Sequence, residues 1–375
     1  MNIAVIGGVP QSLTNFRGDL IYSLQNLGHN VYALAGGEDP QFTDELENNG
    51  VKFVSYPIKR TRLNPFADLH TLIFLRRWFI KNNIDFVFSY TAKPIIWGGI
   101  AARFAGVKYF HAMVTGLGRQ FDSENFKQKL VSFVVKNLYR ISLTHASTVT
   151  FQNVDDLDFF VDNHLTSNSK THRVNGSGVD LRKYSSTNTP TDPFVFLTVG
   201  RLLASKGFRE FVGAADIVSK KYPNAHFRIV GMQEQGSDAI PQDEIESWNK
   251  RPYINYVGQT KDTISELASC SVFVLATYLR EGVPRTILEA MASGRAVITT
   301  NTVGCRDAVA HSVNGLLFEP KDTTALADAM IFLIEHPDTL QSMASNASRL
   351  AEEKYDVNKV NSHMLSIMGL QPSRD

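Results

Sequence analysis

The 375 residues contain only two cysteines, Cys270 and Cys305, far apart and without metal-ligand or redox spacing. That excludes a disulfide framework, a zinc site and a Cys-x-x-Cys redox centre, and both read as reduced thiols of a cytosolic protein. No stretch approaches the roughly 18 apolar residues of a membrane span. The opening Asn2-Ile3-Ala4-Val5-Ile6-Gly7-Gly8 is too short an apolar run for a signal peptide and reads as a first strand. Net charge is nearly absent too, +1 overall, and no nucleic-acid motif accompanies it. Asp156-Leu157-Asp158 has the shape of a metal-binding acid pair, but Asn153 to Asp156 reads better as a helix start.

What is present suits two packed cores. Hydrophobic residues make up 43% and aromatics 10% of a chain long enough for two domains. Apolar strand runs alternate with helical patterns twice, at 2–6, 31–34, 51–54, 85–90, 107–111 and 147–151, then at 194–199, 226–230, 254–257, 272–276 and 296–300. Such alternation predicts α/β architecture with parallel sheets and helices on both faces. The expected organisation is a first domain over 1–182, a polar, Pro-bearing linker over 183–193, and a second domain over 194–352.

Two motifs carry the chemistry. The run 194–199 ends in Gly200-Arg201-Leu202-Leu203-Ala204-Ser205-Lys206-Gly207, which sets two cations at the carboxyl end of a buried strand. Arg grips phosphate oxygens bidentately and Lys is a movable point charge. No Ser or Thr follows a Gly-Lys pair, so this is not a P-loop. Further on, Glu281 and Glu289 bracket Gly282-Val283-Pro284-Arg285-Thr286-Ile287-Leu288 between two strand runs. Pro284 predicts a helix start and Ser293-Gly294 its stop. The amides of Arg285, Thr286 and Ile287 would then face an anion. Glu289 lies in an apolar helix, where a carboxylate needs a reason, and can accept from a vicinal diol such as a ribose.

These pieces, with Gly176-Ser177-Gly178-Val179-Asp180-Leu181 and Asn314-Gly315-Leu316-Leu317-Phe318-Glu319-Pro320, resemble the retaining glycosyltransferases of family 4. Thr14-Asn15-Phe16-Arg17-Gly18, Val114-Thr115-Gly116-Leu117-Gly118 and Phe151-Gln152-Asn153 narrow the likeness. They are similar to enzymes that extend undecaprenyl-diphosphate-linked glycans, N-acetylgalactosaminyltransferases among them. The resemblance implies the GT-B fold, two Rossmann-like parallel-sheet domains facing a central cleft, with residues 353–375 packing back on the first domain. It implies a UDP-sugar donor held by Gly200, Arg201, Lys206, Glu281, Gly282, Val283, Arg285, Thr286 and Glu289, with Gly231, Gly258 and Gln259 near the base. Asn15, Arg17, Thr115 and Gly116 would face the acceptor. Glu281, Arg201, Lys206 and His111 are the catalytic candidates, His111 being expected to close a strand before the Thr115 loop. Gly7 and Gly8 either let the backbone approach the donor phosphates or merely turn the chain. No cofactor or metal is expected.

Charge is uneven. Residues 52–140 hold 15 basic residues and four acidic ones, which suggests an anionic partner, an anionic membrane surface rather than nucleic acid. Lys127, Lys129, Lys136 and Arg140 interleave with apolar residues in one helical stretch, either a membrane-surface helix or a core helix with a wet cationic stripe. The resulting expectation is a cytoplasmic enzyme, peripheral on the inner face of the membrane. It would move a hexose or N-acetylhexosamine, best matched by GalNAc in α linkage, to an undecaprenyl-diphosphate-linked saccharide. A nucleotide-sugar epimerase of the same fold and a non-catalytic nucleotide-sugar-binding protein are the competing classes.

Overall fold

A computed structural model describes residues 1–59, 64–118, 121, 126–260 and 262–371, with the side chain of Lys127 outside the description. Of the basic block, Arg60, Arg62 and Arg119 lie outside the described residues, as do Asp122 and Glu124. The chain divides into two compact units, Met1–Ser177 with Asn358–Asp375, and Gly178–Val357.

The first unit alternates β1 (Asn2–Ile6), α1 (Pro10–Asn26), β2 (Asn30–Ala35), α2 (Pro40–Asn48), β3 (Lys52–Ser55), α3 (Pro65–Lys81), β4 (Phe86–Tyr90), α4 (Ala92–Ala105), β5 (Tyr109–Val114), α5 (Phe126–Thr144), β6 (Thr148–Phe151), α6 (Val154–Asp162) and β7 (Thr171–Arg173). Its seven-stranded sheet runs β3-β2-β1-β4-β5-β6-β7, every pairing parallel. The central strands β1, β4 and β5 read as apolar runs because they are buried from both sides. Asn153 caps α6 by accepting from the Asp156 amide at 2.7 Å, so Asp156 is a helix-start residue, as its spacing suggested.

The second unit runs β8 (Val195–Val199), α7 (Phe208–Lys221), β9 (His226–Val230), α8 (Gln242–Asn249), β10 (Ile254–Gly258), α9 (Thr263–Ser269), β11 (Val272–Leu275), α10 (Arg285–Ala292), β12 (Ala296–Thr300), α11 (Cys305–Ala308), β13 (Gly315–Phe318), α12 (Thr323–Glu335) and α13 (Pro337–Leu350). Its six-stranded parallel sheet is ordered β10-β9-β8-β11-β12-β13. The final helix α14 (Val357–Ile367) enters the first unit, where Met364, Leu365, Met368 and Leu370 join the core under β1, β2 and β4. Residues 183–193 are part of the second unit rather than a free tether. Tyr184 is buried there, and the fully buried Arg295 donates to the Thr187 carbonyl at 3.0 Å.

Strand order reverses in each sheet, between β1 and β4 in the first and between β8 and β11 in the second. In open α/β sheets ligands bind beyond the carboxyl ends of the strands at such a point.

Candidate functional site

In the second unit, the loops that meet at the reversal are 200–207 after β8 and 276–284 after β11, the two segments that carry the cations and Glu281. They are bound tightly to each other. The Tyr278 amide donates to the Ser205 carbonyl at 3.0 Å. Gly207, at φ +78°, passes so close to the Ala276 carbonyl that a Cβ would stand 2.1 Å from its oxygen. Only glycine fits there, on both counts.

Across this seam Lys206 Nζ lies 2.7 Å from Glu281 Oε2. The Thr277 hydroxyl, 2.9 Å from Glu281 Oε1, holds the carboxylate's other oxygen. Lys206 is only 15% exposed, so the pair is partly desolvated and its geometry is fixed before any ligand arrives. Arg201 is brought elsewhere: its side chain is 55% exposed and reaches Glu234 on the loop after β9 at 3.3 Å. Such an exposed pair holds the guanidinium by about 0–1 kcal/mol, which leaves it able to turn to a stronger anion.

Helix α10 begins one residue later than expected. Pro284 is its N-cap, in extended conformation, and Arg285 is the first helical residue. The Ile287 amide therefore returns to the Pro284 carbonyl at 3.1 Å and does not face a ligand, which removes it from the anion-binding set. Ser293 and the left-handed Gly294 end the helix as read. Glu289 is buried, and burial pushes its carboxyl up against the opposing pull of Arg285. Arg285 Nε donates to its Oε1 at 2.9 Å, one helical turn back. Beside it Tyr184 is pushed up to about 12, by burial first and by Glu289 second. Tyr184 sat in what read as linker, and Thr277 had no pattern around it, so neither was visible in sequence. The Arg285–Glu289 pair was legible in its four-residue spacing.

The remaining turns of this sheet are stitched together. The Gly200 amide donates to the Val230 carbonyl at 3.0 Å and the Gly231 amide to the Gly258 carbonyl at 2.9 Å. A Cβ on Gly231 would stand 1.8 Å from the Gly200 oxygen. Gln259 follows β10 on the same edge of carboxyl ends. Gly282 and Val283 lie between Glu281 and α10, and Gly304 packs over Gly282, where a Cβ would be 1.9 Å from the Gly282 oxygen. Thr286 is the second residue of α10.

In the first unit, Gly7 and Gly8 follow β1 at its own reversal. A Cβ on Gly7 would meet the Tyr90 hydroxyl at 2.3 Å. Arg17 is buried on α1 with its guanidinium 5.3 Å above the Tyr90 ring, whereas Asn15 is exposed on the same helix. Thr115 and Gly116 follow β5. His111 does not close that strand. It is the third residue of β5, stacked on Phe86 at 4.6 Å with Nδ1 2.6 Å from the Thr148 hydroxyl. Burial holds its imidazole down at about 4, with His172 adding to the effect. It is a buried histidine of the sheet interior, set back from the carboxyl end of β5 that it was expected to close. Cys270 and Cys305 are free and buried, their thiols pushed up to about 12 and about 11 by desolvation. Among the described residues no group of three His, Cys, Asp or Glu side chains is placed to hold a metal.

Residues 14–174 match the family described as glycosyl transferase 4-like domain, and residues 182–350 match glycosyl transferases group 1. The chain is 28% identical, over 98% of both sequences, to the N,N'-diacetylbacillosaminyl-diphospho-undecaprenol alpha-1,3-N-acetylgalactosaminyltransferase of Campylobacter jejuni. It is also 28% identical, over 78% of this chain and 77% of the relative, to an Escherichia coli UDP-Gal:alpha-D-GlcNAc-diphosphoundecaprenol alpha-1,3-galactosyltransferase. Among solved structures, Anabaena HepE in complex with UDP and glucose superposes with a TM-score of 0.80 at 18% identity, covering 99% of this chain and 100% of that one. Sucrose-phosphate synthase from Thermosynechococcus elongatus gives 0.82 at 19%, over 98% of each chain. At those identities the structures speak for the fold.

Proposed function

We propose that this chain, a glycosyltransferase whose residues 14–174 match a glycosyl transferase 4-like domain and 182–350 the group 1 glycosyl transferases, transfers a hexose or N-acetylhexosamine, best matched by GalNAc, from a UDP-sugar, with retention, to an undecaprenyl-diphosphate-linked saccharide. The observation that carries the donor half is the Lys206–Glu281 pair across the strand-order reversal of the second unit, at 2.7 Å. The acceptor half is supported by the two bacterial relatives, both named for α-1,3 transfer to a diphospho-undecaprenol-linked sugar.

Breaking the sugar–phosphate bond builds positive charge on the anomeric carbon and negative charge on the departing diphosphate. Fixed cations aimed at that diphosphate lower the barrier because they bind the transition state better than the ground state. Lys206 is the fixed cation in this reading, Arg201 the mobile one, and the start of α10 adds the partial charge of its amides. Glu281 holds Lys206 in place and takes the sugar hydroxyls, and Glu289 accepts from the ribose. Asn15, Arg17, Thr115 and Gly116 serve the acceptor. With the diphosphate neutralised by these groups, catalysis needs no divalent cation.

The acceptor's tail stays in a bilayer, so the enzyme works peripherally at the inner face of the cytoplasmic membrane. No helix among the described residues is long and apolar enough to cross one. The test is UDP release from a panel of UDP-hexoses and UDP-N-acetylhexosamines, with and without an undecaprenyl-diphosphate-linked sugar. Release that requires the acceptor is expected. Epimerised donor without acceptor, or tight UDP-sugar binding with no release in any combination, overturns the proposal.

A further inference from the structure

Helices α3 and α5 both pack along α4, and all three send their buried residues into one core on the same side of the first sheet. Their outer side is unusual. On α5, Phe126, Leu130, Phe133, Val134 and Ile141 are exposed and fall on one helical face, opposite the buried Val135, Tyr139 and Leu143. Phe126 is 82% and Phe133 65% exposed. On α3, Phe66, Leu69, Ile73 and Ile80 form a second outward stripe, with Phe66 87% exposed, and Phe104 stands out at the end of α4. Scattered exposed apolar residues need no explanation, but aromatic rings along two helices that flank a third do.

The charges on these helices have one sign. Across α3, α4 and α5 the only carboxylate is Asp68, which is buried and paired with Lys93 at 2.8 Å. Exposed Arg76 and Arg77 share the α3 stripe, Arg76 donating through Nε alone to the Phe104 carbonyl at 3.1 Å, and Lys81, Arg103 and Lys129 are exposed on the same three helices. Two of the four cations that the sequence put forward on α5 are held by the end of α6. Lys136 reaches Asn163 at 2.7 Å, and Arg140 reaches the His164 carbonyl at 3.0 Å. Docking through those four charges is therefore not what this surface offers.

We propose that the outer face of α3 and α5 seats on an anionic lipid bilayer by inserting Phe66, Phe126 and Phe133 into the headgroup–acyl boundary, with Arg76, Arg77 and Lys129 on the lipid phosphates. Exposed rings with basic neighbours and, among the described residues of these three helices, no exposed acid complement such a surface on both counts, apolar depth and negative charge. The inference rests on the lipid-linked acceptor reading for its purpose, while its evidence is this face alone. Binding by insertion outlasts salt, whereas binding by charge does not, because screening shortens to about 3 Å at 1 M.

The experiment is flotation of the full chain with equimolar phosphatidylglycerol–phosphatidylcholine vesicles and with pure phosphatidylcholine, at about 0.1 M and about 1 M salt. The wild type should float best with the anionic vesicles and keep a measurable fraction bound at high salt. Phe126→Ser with Phe133→Ser should lower partitioning roughly tenfold per ring at both salts. Arg76→Gln with Arg77→Gln should lower it about fivefold per charge at low salt only. If the double Phe variant is not folded by circular dichroism, Phe66→Ser on α3 takes its place. A wild type that stays with neither vesicle overturns the proposal, as does a folded Phe variant that floats like the wild type. So does a dimer that the Phe variant splits while no form floats, since the face would then belong to a second copy. UDP release with a short-chain, water-soluble acceptor should be unchanged in these variants. Its absence even in the wild type would sink the transferase reading and leave the flotation result standing.

Discussion

Lys206 and Arg201 looked equivalent in the sequence, two cations on one loop, and their surroundings separate them. Lys206 is held by Glu281 in a partly desolvated seam, and Arg201 stands in water beside Glu234. A fixed charge needs no reorganisation when the leaving group develops, so Lys206→Ala should lower turnover by roughly 10²–10³. Arg201→Ala should cost less, and the double variant less than the product of the two, because in the proposed function both serve one diphosphate. Steady-state UDP release in the three variants checks this, and a larger loss at Arg201 than at Lys206 would reverse the assignment. The carboxylates divide differently. Glu289→Gln should weaken UDP and UDP-sugar alike, and Glu281→Gln should spare UDP while impairing use of the whole donor, as titration calorimetry can show. Glu289 also has a cost. Its carboxyl is raised by burial, so in the folded protein it resists ionisation, and stability is lost as the pH rises through its raised range. Glu289→Gln should therefore melt higher than wild type at pH 7. That gain should fade as the pH falls toward the ordinary glutamate value of about 4.3. A melting gap that widens in acid would contradict burial as the dominant effect.

The strands were largely readable because the central ones, β1, β4, β8, β11 and β12 among them, are buried on both faces and so appear as apolar runs of the right length. β7 was missed because Thr171-His172-Arg173 is a short polar edge with no apolar signal, and β13 because its residues read as part of a family motif rather than as a strand. The histidine of β5 was misplaced for a related reason: the run was read as 107–111, and the strand begins at Tyr109, which moves His111 from the end to the interior. Loop-to-loop contact was not legible at all. Nothing in Gly304 announces that it packs on Gly282, since the two meet only when α11 folds over the loop before α10. That contact gives a sharp comparison. Gly304, at φ +85°, has a backbone oxygen 1.9 Å from a would-be Cβ, while Gly258, at φ +82°, has open space around it. Gly258→Ala should cost about 1–2 kcal/mol, the left-handed strain alone. Gly304→Ala carries the same strain and must also displace the Glu281 loop, so it should destabilise more and lose donor affinity as well. Urea unfolding with UDP calorimetry tests both, and equal effects would mean the loop contact is not tight. The start of α10 bears on metal use too. If that terminus and Lys206 neutralise the diphosphate as proposed, EDTA should leave most activity, and abolition with rescue by Mg²⁺ or Mn²⁺ would call for carboxylate ligands in the site.

At the scale of the whole chain, each unit holds its own hydrophobic cores, yet the first is completed by the last stretch of sequence. Residues 353–375 were expected on the first domain from the family resemblance alone, because an amphipathic helix does not name its partner. The partner is the first unit, in which Met364, Leu365, Met368 and Leu370 are all buried. Burying a side chain of this size contributes about 1.5–3 kcal/mol, so four of them amount to roughly 6–12 kcal/mol as an upper range. That is comparable with the 5–15 kcal/mol that separates a typical folded domain from its unfolded state. A chain ending at Val357 should therefore lose the fold of its first unit and with it all transfer. The second unit keeps Arg201, Lys206, Glu281 and Glu289 and both of its cores, so UDP affinity should stay within a few-fold of wild type. Trp78 and Trp97 report on the first unit and Trp248 on the second, which lets fluorescence of single-Trp forms follow the two separately. Loss of UDP binding on truncation, or a first unit that still unfolds cooperatively near the wild-type midpoint, would show that the terminal helix does something other than complete that core.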